Sequence, residues 1–231
     1  MTTRKMSKEP HSPDALLLMQ EARAGVPGFF DRACYDFYLR RVFHSLGFFR
    51  VALHAYVLLP ERVWLLVTDS TSFGAGALTA SVNRAYADYF RIRFSRQYQQ
   101  WPQQPRQIPV YGEAAVLICQ KLIEYEPVAS GRAANTGQWN WSSYRTNAFG
   151  GRRPFVTRHP AVRKFLAQGN DPGGEYRSYI NSGFGNGQNQ FLRNQITRKQ
   201  QLGRSSALSP VWIQSVPAAD SGQQLTPRTI L

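Results

Sequence analysis

Residues 56–68 read YVLLPERVWLLVT. Two apolar runs flank a Pro60-Glu61 break, a pattern that predicts two antiparallel strands, Val51–Leu58 and Arg62–Thr68, joined by a tight turn. Arg62 and Trp64 alternate with Val63 on the second strand, so both project from one face. A strand that otherwise reads as buried core thus sets an arginine beside a tryptophan. One reading is that this face is the floor of a site rather than core.

The chain around this pair predicts helices and turns. Tyr35, Tyr38, Leu39, Val42, Phe43 and Leu46 recur at helical spacing from Phe30 to Leu46, and Gly47 follows. A second helix is predicted from about Leu78 to Tyr98, with Val82, Tyr86, Tyr89, Phe90 and Phe94 on one side. A third runs Glu113–Tyr125 and is expected to end at Pro127. DSTSFGAGA reads as a loop and QQWPQQPRQIP as a Pro/Gln-rich connector. A strand pair in need of partners among helices predicts an α+β fold, an antiparallel sheet with helices on one face. The organisation expected is a flexible tail over 1–12, an α+β domain over 13–150, a basic helical region over 151–205 and a disordered tail over 206–231.

With 231 residues, 42% of them hydrophobic, the chain can bury a sizeable core. It carries 28 Lys+Arg against 14 Asp+Glu, a formal net charge of +14. Of those cations 23 are arginines and 5 are lysines. Arginine suits bidentate phosphate contact and stacking, so the balance points to nucleic acid; the alternative is a basic surface kept for solubility. Cys34 and Cys119 have no ligand-like spacing, which argues against zinc and disulfides and suits a reducing cytoplasm. The first residues carry no apolar core of a signal peptide, and Pro60, Glu61 and Arg62 interrupt the apolar stretch 51–67, so no membrane association is expected.

The order of segments resembles the single-tyrosine HUH transposases, in particular the REP-associated tyrosine transposase branch. HAYVLLPERVWLLVT resembles the signature strand, which in that family carries two histidines around one apolar residue. FYLRR resembles the first helix and SVNRAYADYFRIRFSR the second; CQKLIEYEPVASG, WNWSSYRTNAFG and FLRNQITRKQQLG follow in register. The resemblance implies a ferredoxin-like sheet and a dimer. It also implies a histidine pair binding a divalent metal and a helical tyrosine that attacks phosphorus on single-stranded DNA. Here the histidine positions fall on Arg62 and Trp64, and the tyrosine position on Leu122. Arginine is a permanent cation and indole has no free lone pair to ligate, so these positions are not competent for the family's chemistry.

The resemblance therefore implies a transposase-derived nucleic-acid-binding protein without the catalysis, with structured single-stranded DNA or RNA as partner and no cofactor. Two alternatives stay open. One is an active, Mg²⁺-dependent nickase in which Tyr125 replaces the lost nucleophile; the other is a protein-interaction module on the same scaffold. Arg62 and Trp64 are read either as a phosphate and base contact or as a plug, with Trp64 filling the cleft and Arg62 paired to Glu61 or Glu124. Further candidate nucleic-acid contacts are Arg84, Arg91, Arg93 and Arg96, then Arg145, Arg152, Arg153, Arg158 and Arg163, with Trp139, Trp141 and Tyr144 between them. Within WSSYR, Ser142 or Ser143 is the alternative helix cap. His54 is expected to be a satisfied, half-buried histidine.

Overall fold

The computed structural model describes residues 12–23, 26–95, 101–102, 104–150, 155–185, 187–198 and 201–203. The expected tails, but for residue 12, and Arg96, Arg152 and Arg153 lie outside the described residues.

The chain begins with β1 (Ala15–Glu21), α1 (Arg32–Leu46), β2 (Val51–Leu59), β3 (Arg62–Asp69), α2 (Gly74–Phe94) and β4 (Arg106–Val110). The sheet order is β2-β3-β1-β4, antiparallel throughout, which is the ferredoxin-like arrangement. The hairpin closes as its sequence predicts: Leu59 pairs with Arg62 across Pro60-Glu61. α1 is capped by Asp31, whose side chain accepts from the Cys34 N–H at 3.0 Å. Beneath α1 and α2 a closed set of buried polar groups links three elements. Gln20 donates to the Tyr38 hydroxyl, Tyr38 to Asn83 Oδ1, and Asn83 Nδ2 back to Gln20.

The helices do not keep to one face. α1 and α2 cover the side formed by Leu18, Leu53, Tyr56, Leu65 and Val67. The opposite side, with Leu17, Met19, Val57, Trp64 and Leu66, is covered by α3 (Glu113–Ala129). The reason is in the strands themselves. YVLL and VWLLV are continuous apolar runs rather than alternating ones, and neither face of such a strand is stable in water.

Two strands depart from the sequence reading. β1 lies between β3 and β4, buried on both sides. β4 falls inside the stretch that reads as a Pro/Gln connector; its Pro109 is tolerated because β4 is an edge strand. α3 also outruns its expected stop: Pro127 sits within the last turn and the helix reaches Ala129.

After α3 come a short 3-10 turn (Thr136–Gln138), α4 (Tyr144–Phe149), α5 (Pro160–Leu166), α6 (Pro172–Asn181) and α7 (Gln188–Thr197). The region beyond 150 shares the core rather than building its own. Ala161, Ile196 and Leu202 join the α3-side core, and Val162, Leu166, Tyr176 and Ile180 pack with Leu117 and Tyr144.

Candidate functional site

The face of β3 that carries Arg62 and Trp64 lies under α3. Leu122 and Glu126 are one turn apart on that helix, so both meet the strand. Trp64 is 2% exposed and packs in one cluster with Leu122, Val57 and Leu59. The fold thus brings together the three positions that the family resemblance implies, Arg62, Trp64 and Leu122, and fills the space between them with side chains.

Charge closes the mouth of this cluster. The Glu126 carboxylate is fully buried and accepts from Arg62 Nη1 at 2.8 Å and from Arg193 Nη2, on α7, at 2.6 Å. Both guanidiniums also lie near the indole, 5.7 Å and 5.8 Å from its centroid. The chain of alternating charge continues outward, with Arg62 Nε 3.7 Å from Glu61 and Arg132 3.0 Å from the other Glu61 oxygen. Burial raises the Glu126 pKa above the ordinary carboxylate value, and the two guanidiniums oppose that rise. Arg62 Nε and Trp64 Nε1 are buried without a hydrogen-bond partner. The residues present do not suit a divalent metal: a guanidinium and an indole offer no donor pair. Among the described residues no group of three or more His, Cys, Asp or Glu is placed to hold one.

Glu126 and Arg193 are the members that the sequence reading missed. Glu126 carries a signal, because it follows Leu122 by four residues on the same helical face. Arg193 carries none that is local; only the fold brings α7 over α3. The expected alternative partner, Glu124, faces elsewhere. It is fully buried and accepts from Ser143 Oγ (2.6 Å), Asn147 Nδ2 (2.7 Å) and the Tyr176 hydroxyl (2.6 Å). Ser143 Oγ also accepts from the Tyr56 N–H at 3.0 Å. WSSYRTN is thereby pinned to α3, α6 and the sheet. Burial pushes the Glu124 carboxyl up to about 7 despite these three donors.

Tyr125 is half-buried and lies outside the Trp64–Leu122 cluster. Its ring stands against Gly183 and edge-on to Phe184, and it lines a cleft of about 430 Å³ with Asn135, Arg177 and Asn181. His54 is indeed a satisfied interior histidine, with Nδ1 on the Thr157 carbonyl and Nε2 on Thr68 Oγ1, both at 2.7 Å. Burial lowers its pKa to about 4. His159 lies edge-on to it and caps α5, its Nδ1 accepting from the Ala161 N–H.

The remaining candidates divide by exposure. Arg84, Arg91 and Arg145 are exposed; Arg91 lies 3.8 Å from Asp88, and Arg145 donates to the Gly137 carbonyl. Arg93 is held by Asp31 at 2.6 Å. The aromatic residues turn inward, contrary to the expected stacking surface. Tyr144 is 3% exposed and accepts from Asn181, while Trp141 stacks on Tyr35 and donates to Asp36. The physical reason is the same pinning: with Ser143 and Asn147 bonded to α3, the rings beside them are carried into the interior.

No family model and no curated protein matches the chain. Among solved structures it is similar to a REP-associated tyrosine transposase bound to a REP hairpin, at 11% identity and a TM-score of 0.51, over 69% of this chain and 93% of that one. No helix among the described residues is long and apolar enough to cross a membrane. The comparison and the βαββαβ order agree: the chain has a fold like that of this solved structure, an α+β fold with a four-stranded antiparallel sheet.

Proposed function

We propose that the protein binds structured single-stranded DNA or RNA and does not cut it. The observation that carries the second half is the Arg62–Glu126–Arg193 clamp over Trp64. Where the family resemblance places a metal pair and a nucleophile, this chain has an interior ion-paired plug with Leu122 behind it. A plug of this kind offers no lone pair to a metal and no hydroxyl to phosphorus, and Trp64 at 2% exposure gives a base no face to stack on. Binding is then a property of the outer surface, with Arg84, Arg91 and Arg145 among the contacts. No cofactor takes part.

Two observations support the nucleic-acid half: the formal charge of +14, dominated by arginine, and a scaffold like that of a protein described bound to hairpin DNA. Fluorescence anisotropy of a labelled DNA hairpin across a salt series tests it. Five to eight phosphate contacts give a log–log slope of roughly −3.5 to −5.6, and EDTA leaves the affinity unchanged. Absence of binding at the lowest salt contradicts the reading and turns the search to protein partners.

A further inference from the structure

Among the described residues the two most exposed large apolar side chains are Phe48, at 84%, and Phe73, at 83%. They lie at one end of the sheet, in the loops that join α1 to β2 and β3 to α2. These loops touch. The Ser70 N–H donates to the Arg50 carbonyl at 3.2 Å, and a Cβ added at Gly74 would stand 2.4 Å from the Phe49 carbonyl oxygen. The approach is so close that only glycine fits beside Phe73. The last turns of α1 lead into the same corner, with Arg40, Arg41 and His44 exposed before Phe48.

Among the described residues no ion pair involves Arg40, Arg41 or Arg50. Asp69, the carboxylate of the adjoining loop, is engaged by the N–H groups of Thr71 and Ala75. Arg50 itself has φ +55°, in the left-handed region where glycine and asparagine are favoured, and yet the position carries a cation.

We propose that this corner docks an unpaired stretch of nucleic acid, with bases stacking on Phe48 and Phe73 and phosphates held by Arg40, Arg41 and Arg50. Two exposed rings, with three guanidiniums outside any ion pair on the same helix end and loop, match the two parts of a single strand, its π-faces and its backbone charge. An uncharged apolar peptide would use the rings but leave the cations without a counter-charge. The inference rests on the nucleic-acid reading above and assigns its surface, which lies outside the plugged cluster.

The test compares a labelled DNA hairpin carrying an unpaired oligothymidine tail with the same hairpin blunt-ended. The native protein is expected to prefer the tailed form. F48A/F73A, both at exposed positions, should keep the native thermal unfolding curve and lose that preference by about tenfold or more. R40Q/R41Q should flatten the salt slope by about 0.7 for each phosphate that is no longer neutralised. If the native protein binds the tailed hairpin and F48A/F73A binds it equally well, the corner is not the docking surface although the nucleic-acid reading stands. If the native protein binds neither probe, both fall. If F48A/F73A changes the mass in solution but not the tail preference, the rings join copies of the chain, and the inference is overturned.

Discussion

Replacing Glu126 by alanine should destabilise the fold by about 3–5 kcal/mol, the usual cost of removing one partner from a buried ion pair. The carboxylate pairs with Arg193 at 2.6 Å and is the closer of two acids for Arg62, at 2.8 Å. Without it two guanidiniums remain beside an apolar indole, and Glu61, the other acid beside Arg62, already binds Arg132. Urea denaturation measures this directly, and a domain of ordinary stability, about 5–15 kcal/mol, would lose a large share of it. The control is the apolar replacement of all three charges, R62M/E126L/R193M. A buried ion pair exchanged for apolar groups of similar volume is often neutral or stabilising, so the triple variant should unfold much later than E126A. If E126A unfolds at the native midpoint, the clamp is ornamental and the plug account loses its energetic basis.

Glu124→Gln should change how stability depends on pH. The native carboxyl is raised from 4.5 to about 7, so the folded protein holds a proton that the unfolded chain releases. Stability from this group is complete below about pH 4.5 and is lost as pH rises to about 7, by on the order of 3 kcal/mol. His54 acts in the opposite sense. Its pKa falls from 6.5 to about 4, so its contribution is complete above about pH 6.5 and is lost as pH falls to about 4. In the native protein these two contributions therefore largely offset each other between about pH 4.5 and 6.5. Glu124→Gln removes its own share of the alkaline loss and shifts the slope towards a rise with pH, set by His54 against the loss that remains from Glu126, whose pKa is also raised. Glu124→Ala, which strands the donors of Ser143, Asn147 and Tyr176, should cost about 1–3 kcal/mol for each donor left unpaired. Thermal unfolding between pH 4 and 8 separates these outcomes; a pH dependence in Glu124→Gln unchanged from the native one would contradict the assignment.

Much of the fold is legible in the sequence because the β2–β3 hairpin is. Two apolar runs around Pro60-Glu61 leave little choice of structure, and the register that follows places Arg62 and Trp64 on one face. β1 is harder to see because ALLLMQE is short and abuts a polar segment, so only its central place in the sheet explains its apolar run. β4 is hidden by Pro109, which an edge strand alone accommodates. The site shows the same division. Arg62 and Trp64 can be placed by register, and Leu122 by the family resemblance of CQKLIEYEPVASG. The choice of Glu126 over Glu124 depends on which side of α3 meets the sheet, and Arg193 depends on the path of the chain after α6. The inward turn of Tyr144 follows from the Ser143 and Asn147 bonds to Glu124, which no local pattern in WSSYRTN reveals.

The measurement that bears most directly on the central claim is a denaturing gel of the protein after incubation with labelled hairpin DNA and Mg²⁺ or Mn²⁺, at a salt concentration where anisotropy shows saturation. Bound DNA should be released intact, with no label migrating with the protein and no shortened strand. A covalent protein–DNA adduct that disappears in Tyr125→Phe would contradict that claim, because the chemistry would then have moved one turn along α3 rather than been lost.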